Sequence, residues 1–269
     1  MTMTMTTIQP KAPNPVARLL LGSFGTYLVS FGSLFILWHV AATYVVGSAL
    51  FPSPVGVVRQ AIVLALDGSL WSNTRISLAR ILSGFAVGSV LGIAIGFLLG
   101  TIPVAKRFIE PYTEFLRFIP ATALITVAVI WFGIGEASKV FLIAYTTIFI
   151  VIINTATGVA SINRNKIRAA QCLGANRFQI FRYVQLPAAL PFVLTGMRIA
   201  MANSFTTIVA AELVASNEGL GKMLWDARLY MLIDDIFVAL ICLGFIGFAA
   251  DRLFRWAILR FAGRFSPIL

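Results

Sequence analysis

The residue types that carry most protein chemistry are few in this chain and far apart. It has one histidine, His39, and two cysteines, Cys172 and Cys242. That set is too sparse for a transition-metal cluster. The adjacent carboxylates Asp234 and Asp235 would point about 100° apart on a helix, which suits a solvated helix start better than an acid–base pair. We therefore predict no catalytic residue and no metal site.

Motifs for binding a nucleotide are also missing. The Gly-Lys pair of a phosphate-binding loop needs an upstream glycine and a following Ser or Thr. Here the pair Gly221-Lys222 is followed by Met223 and lacks that glycine. The sequence has no H-E-x-x-H, G-x-S-x-G or dinucleotide fingerprint either. We expect this chain to bind no cofactor and to catalyse no reaction by itself.

The composition is that of an integral membrane protein. Hydrophobic residues make up 59% of the 269 residues and charged residues 12%, against about 25% charged in soluble domains. Apolar runs approach the length of about 20 residues that crosses a bilayer. The net charge of +11 is typical of cytoplasmic loops near a membrane, so we expect lipid contact and no nucleic-acid partner.

The apolar runs predict an all-α, polytopic fold with about six spans separated by proline and glycine. The sixth span is short, since only 15 residues separate Asp235 from Asp251. The predicted spans are 24–48, 78–102, 118–134, 139–160, 190–214 and 231–255. About three residues separate the third span from the fourth, which predicts a tight hairpin. They form one domain over 24–260, with a tail at 1–23, a loop at 161–190 and a tail at 261–269.

The distribution of Lys and Arg predicts the orientation. With the N-terminus inside, the inner segments hold fourteen basic residues, including Arg117, and the outer segments six, including Arg80. The positive-inside rule then puts both termini and the loop 161–190 in the cytoplasm. Arg198, near the inner end of the fifth span, could attract an anion or reach lipid phosphate.

Polar side chains within spans are candidates for lining a solute pathway, because each is costly in lipid. Asn203 and Thr207 would share one face at i, i+4. Ser and Thr can equally bond their own helix or a neighbouring helix. The predicted pathway residues are Thr122, Thr126, Asn154, Asn203, Thr207 and Glu212.

The second span carries a glycine at every fourth position, which makes one bare stripe along a helix. Small residues at this spacing let two membrane helices approach closely. The stripe could serve as a pivot against a neighbour or as ordinary helix packing. It consists of Gly84, Gly88, Gly92, Gly96 and Gly100.

The loop 161–190 reads as two short amphipathic helices joined at Gly174. One broad arc of the first helix holds Ile167, Ala169, Ala170 and Leu173, and Gly174 suits the helix end. We predict that the second helix ends at Leu186-Pro187. Such a segment could dock another protein or rest on anionic lipid.

This loop resembles the cytoplasmic loop of binding-protein-dependent ABC transporter permeases, whose EAA motif is E-A-A, three residues, G, nine residues, I-x-L-P. Here Arg168-Ala169-Ala170, Gly174 and Val184 to Pro187 have the same spacing, with Arg in place of Glu and Val in place of Ile. The segments 129–145 and 210–227 resemble the nitrate/sulfonate/taurine subgroup, and the likeness covers about 30–260.

The resemblance implies a type I ABC importer permease in the bacterial inner membrane. ATP and Mg would be bound by separate ATP-binding subunits, and an external binding protein would deliver the solute. Two copies of the chain would line one pathway. The residues implied in coupling to the ATPase are Ile167, Arg168, Ala169, Ala170, Leu173, Gly174, Leu186 and Pro187.

The subgroup implies a small solute such as nitrate, a sulfonate or taurine. The alternative is an ion-coupled secondary transporter of a small anion, for which Glu212 is the main candidate residue. The centres of spans one to four hold no acidic residue, and Glu212 falls near the outer end of the fifth.

Overall fold

The computed structural model describes residues 23–45 and 51–262. The predicted tails at 1–23 and 261–269 therefore lie almost wholly outside the described residues. Within the described part, every regular element is helical, as predicted. The chain divides into two units, residues 1–59 and residues 60–269.

In the described part of the first unit, helix α1, Ser23–Val40, continues as a π-helical turn over Ala41–Val45. Trp38 donates its indole N–H to the Pro52 carbonyl at 3.1 Å. Helix α2, Pro54–Leu66, starts with its proline in the first turn, where the missing N–H is not needed. The predicted first span is therefore helical over its described part.

The second unit carries the remaining helices, and a π-helical turn over Phe181–Gln185 joins α8 to α9. In chain order they are α3 Ser69–Thr101, α4 Pro103–Leu116, α5 Ile125–Phe132, α6 Glu136–Ala160, α7 Arg164–Cys172, α8 Arg177–Ile180, α9 Leu186–Ala215, α10 Leu220–Leu229 and α11 Ile233–Ala262.

The glycine stripe of α3 packs directly on α6. Each glycine faces a β-branched residue, and a Cβ placed on the glycine would lie 2.5–2.8 Å from the Cβ of that residue. No real Cβ fits at such a distance, so only glycine allows the two backbones to come this close. The facing residues of α6 are Ile143, Thr147, Val151, Thr155 and Val159.

Helix α9 completes the core by packing on α6 through two further glycines. A Cβ on Gly158 of α6 would lie 2.6 Å from the Phe192 Cβ, and one on Gly196 of α9 would lie 2.5 Å from the Asn154 Cβ. Side chains of the three helices then meet in one buried cluster that includes Ile81, Ile143, Val151, Met201 and Ile208.

Five helices of the described residues are long and apolar enough to cross a membrane. The predicted third span, 118–134, differs from a single helix. Residues 120–124 form turns with 3₁₀-type bonds such as Ala123 N–H to the Pro120 carbonyl at 3.0 Å, and α5 has only eight residues. The three-residue connection 133–135 between α5 and α6 is the tight hairpin that the sequence predicts.

Two spans begin earlier than predicted, and charged residues near their starts have partners within the protein. Helix α3 starts at Ser69 instead of residue 78, and α6 starts at Glu136 instead of residue 139. Arg80 of α3 binds Glu136 through two bonds of 2.5 Å. The Lys139 ammonium donates to the Ile134 carbonyl at 2.8 Å.

The short sixth span is also explained by pairing. Asp251 of α11 accepts two bonds from the Arg198 guanidinium, at 2.6 and 3.0 Å. This bidentate pair neutralises both charges, so α11 continues through Asp251 as a 30-residue helix. Arg198 therefore has a protein partner, which the sequence did not indicate.

We expect Gly88→Ala to lower the stability of the α3–α6 pair by about 1–3 kcal/mol, the usual cost of overpacking. Its Cβ would lie 2.6 Å from the Thr147 Cβ and 2.8 Å from the Ala144 carbonyl oxygen, and the backbone oxygen cannot move aside. Thermal unfolding of the detergent-purified protein measures the loss.

Gly244→Ala in α11 is the matched control, because no atom lies within 4 Å of its added Cβ. It should leave the midpoint unchanged or raise it slightly, since alanine favours helix. Equal midpoints for the two variants would contradict the close approach.

Candidate functional site

The segment between α6 and α9 is built from locally capped helices. The Asn163 side chain accepts the Asn165 N–H at 2.8 Å and starts α7. The Asn176 side chain accepts the Gln179 N–H, and the Gln179 side chain accepts the Asn176 N–H, both at 2.8 Å. This reciprocal capping box fixes the start of α8 through bonds within the helix end itself.

Gly174 makes the turn between α7 and α8. Its φ of 81° lies in the left-handed region, which an L side chain rarely adopts. The Ala175 N–H reaches back to the Ala170 carbonyl at 3.0 Å, which is the long bond of a Schellman helix end. The two predicted helices joined at a glycine are therefore present.

The first predicted helix presents an apolar residue openly to its surroundings. Leu173 is 88% exposed, while Ile167 and Ala170 are half-buried and Ala169 and Arg168 are exposed. An exposed leucine on a fixed turn is costly in water, so this surface is suited to being covered. We call residues 164–174, α7 and its terminal turn, the loop helix.

The predicted end of the second helix at Leu186-Pro187 is wrong. The chain stays helical through the π-turn into α9, and the Leu186 N–H bonds the Phe181 carbonyl five residues back. A wider turn before Pro187 makes room for its ring, which would otherwise clash with the preceding turn. Leu186 and Pro187 therefore lie at the start of α9, where they are half-buried and separate from the loop helix.

The predicted pathway residues do not gather at one place. A cavity of about 380 Å³ lies between the 117–121 segment, α6 and α9, and only Asn203 of that set lines it. The Thr207 hydroxyl lies 3.4 Å from that of Thr146, which also lines the cavity. Thr122 and Thr126 are exposed, and Asn154 packs against Gly196.

Glu212 does not line the cavity. Its carboxylate is instead surrounded by hydrogen-bond donors of the protein. Its carboxylate is fully buried and accepts bonds from the Ser77 hydroxyl at 2.9 Å, Arg80 at 2.7 Å and the Gly221 N–H at 2.9 Å. A Cβ at Gly219 would strike the carboxylate, and Gly219 has a φ of 116°. The part that Glu212 plays in transport stays a prediction.

Arg80 is the centre of this network, and the sequence analysis missed it. It is 4% exposed and joins α3 to Glu136 of α6, Glu212 of α9 and the carbonyl of Glu218 at 2.7 Å. The sequence does contain a sign of this role. Arg80 lies four residues before Gly84, so it is on the same face of α3 as the glycine stripe that packs on α6.

Comparison with known proteins supplies the family context. The model of the binding-protein-dependent transport system inner membrane component family matches residues 88–263. The taurine transport system permease protein of Escherichia coli is 36% identical over 88% of this chain and 87% of its own. The bicarbonate transport system permease protein of Synechococcus elongatus is 31% identical over 82% of this chain and 83% of its own.

The fold also matches a solved structure. The MetNI methionine ABC transporter in an inward-facing conformation superimposes with a TM-score of 0.58 at 21% identity. The match covers 72% of this chain and 96% of that chain. At this identity the likeness supports the fold alone.

We expect Glu212→Gln to destabilise the protein by about 1–3 kcal/mol, because it removes the buried one of the two carboxylates that bind Arg80 and leaves only the more exposed Glu136. The Gln side chain also has an NH₂ group in place of one carboxylate oxygen. This donor would face either the Gly221 N–H or the Ser77 hydroxyl, which are donors themselves. Thermal unfolding in detergent measures the effect.

The control is Glu110→Gln, which breaks the exposed Lys106–Glu110 pair of 3.5 Å on α4. Its cost should be about 1 kcal/mol or less. A Glu212→Gln protein as stable as this control would show that the network contributes nothing.

Proposed function

The chain belongs to the family of binding-protein-dependent transport system inner membrane components and is a multi-pass permease subunit of an ABC importer, and we propose that it carries a small oxyanion-bearing solute. Nitrate, taurine and other sulfonates are the candidates. The match to the taurine permease supports a sulfonate, and the match to the bicarbonate permease supports a small oxyanion more generally.

A separate ATP-binding subunit supplies the energy in this proposal. ATP and Mg are bound there, and this chain binds no cofactor. The observation that carries the proposal is the loop helix, which leaves Leu173 88% exposed beside a fixed glycine turn. Leu173, Ala169 and Ala170 are the contact residues, and Ile167 and Arg168 flank them.

The remaining partners follow from the same arrangement. The loop 161–190 and both termini lie in the cytoplasm of a bacterial cell, and the opposite face receives an external binding protein. Two copies of the chain enclose the pathway, and lipid covers the outward faces of the helices. Leu186 and Pro187, at the start of α9, transmit movement of the loop helix into that span.

The main candidate residue for ion coupling, Glu212, is already bonded within the protein. The carboxylate of Glu212 already accepts bonds from Ser77, Arg80 and Gly221, so it offers no open site to a transported ion. The alternative of an ion-coupled secondary transporter of a small anion therefore loses the residue on which it depended.

Reconstituted transport tests the proposal. The chain is co-expressed with a candidate ATP-binding subunit and a candidate binding protein, placed in proteoliposomes, and assayed with labelled taurine, ethanesulfonate, nitrate and bicarbonate. We expect uptake of at least one of them that requires ATP and the binding protein. Uptake by the chain alone, or uptake abolished by a protonophore in the presence of ATP, would refute it.

We expect Gly174→Ala to weaken coupling, because alanine at a φ of 81° costs about 1–2 kcal/mol and tilts the turn that holds Leu173. No atom lies within 4 Å of the added Cβ, so the protein itself should stay folded. The measurement is the amount of ATP-binding subunit that copurifies.

Gly135→Ala is the control, since Gly135 is equally open but has a φ of −73°. It should leave copurification unchanged. Full retention of the ATP-binding subunit by Gly174→Ala would argue against docking at the loop helix, and membrane association without any protein partner would favour a lipid-facing loop.

A further inference from the structure

The segment after α4 places Arg117 at mid-height of α6. The Tyr145 hydroxyl donates to the Leu116 carbonyl at 2.5 Å and so ties this segment to α6. The residues of α6 that line the cavity run from Tyr145 to Ile153, which are the tenth to eighteenth of its 25 residues. Arg117, counted among the inner basic residues by sequence, thus lies beside the centre of a span.

Arg117 is the only charged residue among those that line the 380 Å³ cavity. Within the described part of the chain, no carboxylate oxygen lies within 4 Å of its guanidinium, which packs on the Phe118 ring at 4.8 Å. Arg80 and Arg198, which lie within spans, are both paired with carboxylates. Arg117 is exposed in the single chain, and a charge without a carboxylate partner beside the centre of a span is a functional candidate.

The cavity holds a second free donor. The side-chain amide of Asn203 makes no hydrogen bond to any described residue, and only its backbone carbonyl is used, by Thr207 at 3.1 Å. The remaining walls are largely apolar and aromatic and include Tyr145 and Phe149. A guanidinium and an amide facing an apolar cavity form a site for an oxyanion, which accepts several charge-assisted bonds.

Arg117 also lines a second cavity of about 240 Å³, next to the first. Its charged residues besides Arg117 are Lys106, Glu110 and Glu114, and Glu110 lies 3.5 Å from Lys106. Arg117 therefore lines both cavities. The first cavity is lined by one positive charge, and the lining of the second has equal numbers of basic and acidic residues. An anion in either cavity would therefore lie beside a residue that lines both.

We propose that Arg117, with the Asn203 amide, binds the oxyanion head of the transported solute at mid-height of the permease and so selects anions within the membrane. The volume of about 380 Å³ is within the usual range of ligand sites and accommodates a solute of taurine size. The inference rests on the proposed import function and assigns its substrate class to a specific place in the chain.

The test uses the full reconstituted complex and the labelled oxyanion that the wild type carries. Arg117→Gln should lower ATP-dependent uptake at least about tenfold, the scale of losing a charge-assisted contact. ATP hydrolysis stimulated by the loaded binding protein should stay within about twofold of wild type, because docking and coupling lie elsewhere. Arg117→Lys should recover part of the uptake with a higher half-saturation concentration.

Arg107→Gln is the matched control, since Arg107 lies on α4, is exposed and lines neither cavity. Its uptake should equal that of wild type. Unchanged uptake in Arg117→Gln, or an equal fall of uptake and ATP hydrolysis, would overturn the inference. Absence of ATP-dependent uptake in the wild type would instead overturn the proposed function.

If the complex that contains Arg117→Gln does not assemble, the Asn203→Asp variant tests the inference instead. The change keeps the shape of the side chain and places a negative charge in the same cavity, so it should suppress anion uptake about as strongly. Normal anion uptake by Asn203→Asp would overturn the inference.

Discussion

The close approach of α3 to α6 is the constraint on which the rest of the second unit depends. Five glycines of one helix accept five β-branched residues of the other, with no space for a methyl group between them. Because α3 is held on this face of α6, Arg80 is carried on the same stripe into contact with Glu136 and Glu212. The face of α6 that bears Tyr145 and Phe149 then remains open to the cavity.

Arginines in or beside the spans occur in two arrangements. The pair of Arg198 and Asp251 and the network around Arg80 each give a guanidinium within a span a carboxylate partner, which fixes helices to one another. Arg117 is different, since its guanidinium faces a cavity with no described carboxylate within 4 Å. The first arrangement suits a rigid scaffold, and the second suits a solute that brings the opposite charge.

Much of the fold could be predicted because membrane helices are marked by local composition. The glycine stripe, the hairpin at 133–135 and the loop helix all depend on residues close in sequence. The partner of Arg80 could not be predicted, because Glu212 is 132 residues away. The same holds for Arg117, which a count of basic residues assigns to a cytoplasmic connection, although turns at 120–124 place it beside the middle of α6.

The account depends most on where the loop helix lies and what covers it, and Cys172 at its end reports on both. Cys172 is exposed and native, so an impermeant maleimide can label it without engineering, with Cys172→Ser as the blank. We predict labelling in inside-out vesicles, none in right-side-out vesicles, and protection when the ATP-binding subunit is bound. Labelling from the outside, or labelling that the bound subunit does not reduce, would contradict the account.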